Sequence, residues 1–403
     1  MILADLEAMD RDDPLAWVRE RFVLPEGVVY LDGNSLGALP CATAARVAQV
    51  VEAEWGAGLI RSWNDAGWIT LAARVGGKIG RLIGAPFGTV SVGDSTSVNV
   101  FKLLAAALSL RPDRRVILSE RSNFPTDLYI AEGLIGLLDR DYSLRLVDEW
   151  PAEIADDVAV VMLTHVHYRT GAMLDMAAVT AAAHAAGAVM LWDLAHSVGA
   201  VQIDLAACDV DLAVGCGYKF LNGGPGAPAF LYIAERLHDR VRLPLTGWFG
   251  HAAPFAFEPG FRPAPGISRT VVGTPPVLSL AALEIGVDTF AGVDMAAVRA
   301  KSVTLFDVFA ALVEQECSGL RRVTPTEHGS QICFAHEHAY PVMQALIANG
   351  VIGDFRAPNV LRFGLTPLYL GFAELWHAVT AIRHVLDGKT WQSKRFSVSG
   401  LVT

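Results

Sequence analysis

Two ionisable residues, each following an apolar run, are the first candidates for chemistry. The run Ala188-Val-Met-Leu-Trp192 ends in Asp193, and His196 stands three positions on. The run Asp211-Leu-Ala-Val-Gly215 leads to Tyr218-Lys219 and then to a glycine- and proline-rich turn, Asn222-Gly-Gly-Pro-Gly226. Short buried strands ending in ionisable groups are what an α/β sheet presents at the carboxyl ends of its strands, where ligands bind. A lysine beside such a loop, with a carboxylate from a neighbouring strand, suits a Schiff base with an aldehyde cofactor. Taken alone, a lysine after a strand is usually an ordinary surface residue, so other residues must carry the reading.

Several do. Ser95-Thr96-Ser97 precedes a helical run to Leu110. Hydroxyls there serve either as a plain N-cap or as an anion site at the positive end of a helix. No GxxxxGK[ST] loop occurs, and no GxGxxG follows a strand, so neither a nucleotide P-loop nor a nicotinamide domain has support. Phe124 could cover a ring face, and Tyr218 sets a hydroxyl beside the lysine. Arg362, at the end of a strand, could hold a substrate carboxylate bidentately. A lysine imine needs an electron sink, and a pyridinium ring kept protonated by Asp193 is the natural one. Together these residues point to a pyridoxal-phosphate enzyme. His165 and His167 lack a third ligand at a suitable spacing, so no metal is expected. Trp63 and Asn64, in the polar loop Arg61–Trp68, read equally as interface anchors, ligand contacts or packing residues.

The elements that must position these groups follow from pattern. From residue 115 to 233 the chain alternates strand and helix, with strands at 115–118, 144–146, 158–163, 188–192, 211–215 and 229–233. That predicts an α/β unit with a mainly parallel central sheet flanked by helices. Helices are expected at 41–55, 175–187 and, as one long helix with smaller ones after it, 277–316. Strands at 331–334 and 360–363 with helices at 339–349 and 371–387 predict a small α+β domain, and 390–403 reads as a polar tail or final short strand. The aromatic loop between Leu245 and Pro276 carries too many breakers for regular structure and is expected to pack on another surface.

Composition sets the bounds. The 403 residues are 52% hydrophobic, enough for a large core split between domains. A formal charge of −10 argues against nucleic acid or anionic membrane as partner. The five cysteines are scattered without a CxxC and read as reduced core residues of a cytoplasmic protein. No uninterrupted apolar stretch is long enough for a spanning helix. The positive mean hydropathy of +0.37 is most simply absorbed by a large subunit interface.

In its motifs the chain resembles the kynureninases, a branch of the fold-type-I pyridoxal-phosphate enzymes related to class V aminotransferases. The likeness runs from Tyr30-Leu-Asp-Gly-Asn-Ser-Leu-Gly37 to Gly353-Asp-Phe-Arg356 and Leu361-Arg362-Phe-Gly-Leu-Thr-Pro-Leu-Tyr369. It is most specific at Ser62-Trp-Asn64, Gly93–Asn99, Phe124-Pro-Thr-Asp127, Trp192–Gly199 and Gly217–Gly226. The resemblance implies hydrolysis of L-kynurenine to anthranilate and L-alanine. It implies Lys219 as the cofactor lysine, Asp193 on the pyridine nitrogen and His196 as a further contact. Ser95, Thr96 and Tyr218 would hold the phosphate, and Phe124 would lie on the ring with Asp127 close by. Trp248 and Thr274 would come from the other subunit of a homodimer, Trp63, Asn64 and Gly273 would border the substrate, and Arg362 would take its carboxylate. Trp63 and Gly273 match the bacterial type that favours unsubstituted kynurenine; the type favouring 3-hydroxykynurenine has His and Asn there. The implied plan is an N-terminal segment (1–55) joining the small domain, a large cofactor domain (56–290) and a C-terminal small domain (291–403). Tyr218 is the candidate acid and base at the γ-carbonyl, with His196 left open beside it. The alternatives are a class V aminotransferase or a cysteine desulfurase; for the latter, neither Cys317 nor Cys333 sits on a suitable loop.

Overall fold

The protein is described here from a computed structural model, which covers residues 2–138, 141–148, 150 and 153–397. Seven strands make the main sheet: β1 (Val90–Val92), β2 (Val116–Glu120), β3 (Ser143–Val147), β4 (Val158–Thr164), β5 (Val189–Asp193), β6 (Leu212–Gly215) and β7 (Phe230–Ile233). Their spatial order is β1-β7-β6-β5-β4-β2-β3. The neighbours from β6 across to β3 pair in parallel, whereas β7 runs antiparallel to both β6 and β1. Every residue of β4, β5, β6 and β7 is buried, as expected when helices cover both faces of a sheet and the strand sequences are continuously apolar.

A second, antiparallel sheet is built from β8 (Arg321–Arg322), β9 (Gln331–Ala335), β10 (Asp354–Arg356) and β11 (Val360–Gly364), in the order β8-β9-β11-β10. Arg362 on β11 stands opposite Cys333 on one side and Asp354 on the other. The helices Met295–Glu316, Ala339–Ala348 and Phe372–Asp387 accompany it.

The N-terminal segment links the two sheets. Helix Leu3–Asp12 packs on Phe372–Asp387, whose first-turn amides, those of Phe372 and Ala373, donate to the Asp10 carboxylate at 2.5 and 3.0 Å. This is an N-cap supplied from a distant part of the chain. Val29–Tyr30 pairs in parallel with Val351–Ile352. The chain then turns through Asp32–Gly37 to the main sheet, where the Gly37 amide donates to the Tyr218 carbonyl at 2.8 Å. A Cβ at Gly37 would lie 2.4 Å from the Lys219 carbonyl oxygen, so only glycine permits this approach.

Several details differ from the sequence expectation. The stretch 277–316 is two helices, Val277–Asp288 and Met295–Glu316, with the longer one second; Gly292, at φ +74°, turns the chain between them. The helix expected at 41–55 begins at Thr43 and widens to π geometry over Val50–Gly58. His165 and His167 follow the end of β4. His165 bonds Ser197 Oγ, His167 bonds the Ser122 carbonyl, and no metal-holding group of three occurs among the described residues. All five cysteines are free, but Cys41 is exposed and Cys208 half-buried, so the core reading holds only for Cys216, Cys317 and Cys333. The expected tail forms short 3₁₀ turns at Thr390–Gln392 and Lys394–Phe396, and its final residues, 398–403, lie outside the described residues. No helix among the described residues is long and apolar enough to cross a membrane.

Candidate functional site

A cavity of about 690 Å³ opens at the carboxyl ends of the parallel strands. This is the place where open α/β sheets bind ligands, and its size is ordinary for a small-molecule site. Ser95, Thr96, Phe124, Asp127, Asp193, His196, Tyr218 and Lys219 all line it. Eight residues picked from four separate stretches of sequence thus converge on one wall-to-wall space.

The strands place them directly. Asp193 is the last residue of β5, and its carboxylate accepts the Ala195 amide at 2.8 Å. Lys219 follows β6 in a turn that Asn222 closes with φ +56°, donating its amide to the Lys219 carbonyl at 2.9 Å. Lys219 Nζ lies 2.9 Å from His196 Nε2, and His196 Nδ1 lies 3.0 Å from Gln331 Oε1 on β9. Phe124 begins the turn into helix Pro125–Leu138, is 39% exposed, and meets Tyr168 edge-on at 5.3 Å.

In the same cavity Ser95 caps the fifteen-residue helix Thr96–Leu110, its Oγ accepting the Val98 amide at 3.3 Å. The first amides of such a helix have no partner within it, and the dipole adds positive potential, so the end attracts an anion. The adjacent Asp94 would oppose that. Its carboxylate is paired instead with Lys102, which is 1% exposed and also donates to the Thr270 carbonyl at 2.8 Å.

The electrostatics around Asp193 and Asp127 favour a cation. Burial raises both Asp193 and Asp127 above the usual carboxylate range; for Asp127 the neighbouring Asp193 adds to this, and Lys219 opposes it for both. Asp127 Oδ2 is buried with no hydrogen-bond partner. Two buried carboxylates with an orphaned oxygen, in one cavity with a lysine and a helix N-terminus, fit a ring carrying a protonated nitrogen, an aldehyde and a phosphate. Pyridoxal phosphate has those three groups. Burial pushes His196 well below its ordinary value, helped by the charges of Lys219, Arg362 and Arg356, and so holds it neutral. Burial likewise raises Tyr218, with Cys216 and Asp193 contributing, which keeps its hydroxyl protonated.

Arg362 is 1% exposed and lies beyond the cavity wall. Its Nε donates to Asp354 Oδ1 at 2.7 Å and its Nη2 to Asp354 Oδ2. Nη1 reaches the Tyr168 carbonyl at 2.6 Å and Nη2 also reaches Ser35 Oγ at 2.7 Å. The edge available for a simple bidentate grip is therefore filled by Asp354. A substrate carboxylate would meet the Nη1–Nη2 end, where Ser35 now stands. Sequence reasoning missed Asp354, Ser35, Asn34 and Gln331; the motifs Asp32–Gly37 and Gly353–Arg356 were visible, but nothing in them says which distant side chain they brace.

Besides Arg362, five predicted residues do not line the cavity of their own chain. Trp63 packs edge-on against Trp68 at 5.8 Å and near Phe249 at 5.9 Å, and Asn64 is exposed. Trp248 is 39% exposed among Phe249, Phe255 and Phe257. Gly273 and Thr274 border a separate, smaller hollow beside Asp94 and Lys102.

Comparison with known proteins gives a consistent outcome. Residues 298–382 match the family model described as the kynureninase C-terminal domain. A kynureninase of Burkholderia pseudomallei is 56% identical over 408 residues, covering 98% of each chain. One of Pseudomonas fluorescens is 54% identical over 411 residues, covering 99% of each. Among solved structures, a cysteine desulfurase from Thermococcus onnurineus NA1 superposes with a TM-score of 0.78 at 17% identity, covering 93% of this chain and 98% of its own. A cysteine desulfurase from Escherichia coli superposes at 0.74 and 19% identity, with the same coverage. At that identity the two structures establish the shared fold alone.

Proposed function

The chain belongs to the kynureninase family, and from that premise we propose that it hydrolyses the Cβ–Cγ bond of L-kynurenine, releasing anthranilate and L-alanine, with pyridoxal phosphate as cofactor. The observation that carries this reading is the union of Lys219, Asp193 and the Ser95–Thr96 helix end in one cavity.

The cofactor, when bound, supplies an electron sink for the bonds broken at the substrate's α- and β-carbons. Lys219 would hold its aldehyde carbon, Asp193 would keep a proton on its pyridine nitrogen, and Asp127 would add negative charge beside it. The Ser95 and Thr96 hydroxyls, the first amides of their helix and the Tyr218 hydroxyl would hold the phosphate. Phe124 would cover the ring. As a free amine, Lys219 Nζ would be the base that takes the Cα proton and later returns one. Hydrolysis adds water at the γ-carbonyl, where negative charge builds on oxygen and a placed donor is needed. Tyr218 is our choice for that donor, because its raised pKa keeps the O–H intact until the oxyanion forms. Arg362, braced by Asp354, would take the substrate carboxylate.

The working form in this reading is a cytoplasmic homodimer with active sites at the subunit interface. Trp248 and Thr274 would reach the phosphate region of the partner, and Trp63, Asn64 and Gly273 would border the substrate ring. Support comes from their place outside their own chain's cavity and from the exposure of Phe255 (62%) and Phe257 (76%) beside Trp248. An indole at Trp63 and no side chain at Gly273 offer no partner to a 3-hydroxyl, so unsubstituted kynurenine is the preferred substrate. The unit plan we propose is 1–55 with the small domain, 56–290 as cofactor domain and 291–403 as small domain. It is supported by the packing of Leu3–Asp12 on Phe372–Asp387, although Thr43–Gln49 packs on Val277–Asp288.

The test is incubation of the cofactor-loaded protein with L-kynurenine, following anthranilate fluorescence and alanine release. Equimolar products support the reading. Amino-group transfer without anthranilate, or sulfide release from cysteine at a higher rate, would replace it with an aminotransferase or desulfurase.

A further inference from the structure

Gln331 has no assigned part in this site, yet it is 1% exposed and touches three of its elements. It begins β9 of the second sheet, opposite Gly364. Its Nε2 donates to the carbonyls of His167 and Tyr168 at 3.2 and 3.0 Å. Its Oε1 faces His196 Nδ1 at 3.0 Å and receives Asn34 Nδ2 at 3.3 Å.

These contacts fix the direction of the whole chain of bonds. A backbone carbonyl only accepts, so the amide end against His167 and Tyr168 must be the NH₂ group; the reverse placement would set oxygen against oxygen twice. The end against His196 is therefore oxygen, which also only accepts. His196 Nδ1 must then carry the hydrogen. In a neutral imidazole the other nitrogen is left with a lone pair, and that nitrogen, Nε2, is the one 2.9 Å from Lys219 Nζ.

We propose that Gln331 is a positioning residue that locks His196 in its Nδ1–H tautomer, so that Nε2 faces Lys219 as a hydrogen-bond acceptor. The charges around the imidazole agree with a neutral ring: Lys219, Arg362 and Arg356 all oppose its protonation, and among the described residues no carboxylate bonds it. An acceptor in that place stabilises a protonated lysine nitrogen, whether amine or Schiff base. The device also joins the two sheets, because the Tyr168 carbonyl that anchors Gln331 accepts Arg362 Nη1 as well. Whatever shifts β9 and β11 must therefore shift the imidazole beside the lysine. The role toward the cofactor rests on the function proposed above; the tautomer itself does not.

Two measurements separate these parts. Nitrogen NMR on the cofactor-free protein with ¹⁵N-labelled histidine, His196 assigned by difference with His196→Asn, reads the tautomer in the unaltered chain. The expected result is a pyrrole-type Nδ1 and a pyridine-type Nε2; a pyrrole-type Nε2 overturns the proposal. In the loaded protein, the pH midpoint of the visible band of the lysine-bound cofactor is compared with that of Gln331→Met, which keeps bulk and loses both polar ends. Loss of the acceptor is expected to lower the midpoint by about one pH unit, the size of a single lost hydrogen bond to a charged group. Gln331→Glu, which keeps an oxygen toward His196 but adds charge that favours the imidazolium, is expected to remove the acceptor too and lower the midpoint likewise. An unchanged midpoint in a folded Gln331→Met protein overturns the positioning role. If the wild-type protein gives no visible band with pyridoxal phosphate, the proposed function fails, while the NMR result still decides the tautomer.

Discussion

Replacing Asp354 by asparagine tests the brace on Arg362. Asp354 is 1% exposed, and its two oxygens accept Arg362 Nε and Nη2, Arg356 Nη2 at 2.6 Å and Ser35 Oγ at 2.8 Å. Asparagine keeps the shape, but it turns one acceptor into an NH₂ group facing guanidinium N–H and removes the only carboxylate that bonds Arg362 among the described residues. Breaking one side of a buried ion pair costs about 3–5 kcal/mol, because the other charge stays buried without compensation. Asp32 lies close enough to feel Arg362 and supplies part of the missing charge, which favours the lower end, about 3 kcal/mol. Urea unfolding of the loaded protein reads that loss. Kinetics on L-kynurenine read the second effect: a guanidinium free to rotate presents its Nη1–Nη2 end less often, and KM is expected to rise about tenfold, or about 1.4 kcal/mol, with a smaller change in kcat. A folded variant with stability within about 0.5 kcal/mol of wild type and an unchanged KM would refute the argument that Asp354 sets Arg362 in place.

Other outcomes follow from the same geometry. Burial and the nearby Asp354 carboxylate raise Asp32 to about 7. A carboxyl raised on folding contributes stability that is complete below its unfolded value of about 4 and is lost as pH climbs through its folded value. Urea midpoints of the wild type should therefore fall from pH 5 to pH 8, and Asp32→Asn should lose that part of the slope; an identical slope in both proteins would contradict the assignment. Asp193→Ala should lower kcat by about 10²–10³, the scale for removing one preorganised charged group, in a steady-state anthranilate assay. Ser95→Ala removes an N-cap worth about 1 kcal/mol and the phosphate contact proposed for it, so cofactor titration by absorbance should show weaker binding by about tenfold.

The parts of the molecule legible in its sequence were those where one residue type serves one local need. The strands β4, β5 and β6 are continuous apolar runs because both faces are covered, so their ends, and with them Asp193 and Lys219, could be located without coordinates. Ser95 was readable as a cap because its helix follows immediately. The break at Gly292 was also marked locally, by a glycine at φ +74° and by the N-cap Asp294 that accepts the Ala296 amide, but the apolar runs on both sides hide it. The bracing residues were hidden for a different reason. Asn34 meets Gln331, and Ser35 meets Asp354, across the whole length of the chain; neither contact has a spacing rule. Gln331 in particular sits in a strand where a buried apolar side chain would be the expectation, and its polarity makes sense only beside His196.

If L-kynurenine is cleaved through Lys219, loss of its amine must abolish turnover. The direct measurement is anthranilate release by the Lys219→Ala protein, loaded with pyridoxal phosphate and compared with wild type at equal concentration. The predicted result is turnover by the wild type and none above background in the variant, with an unchanged fold by circular dichroism. Anthranilate formed by Lys219→Ala at the wild-type rate would contradict it.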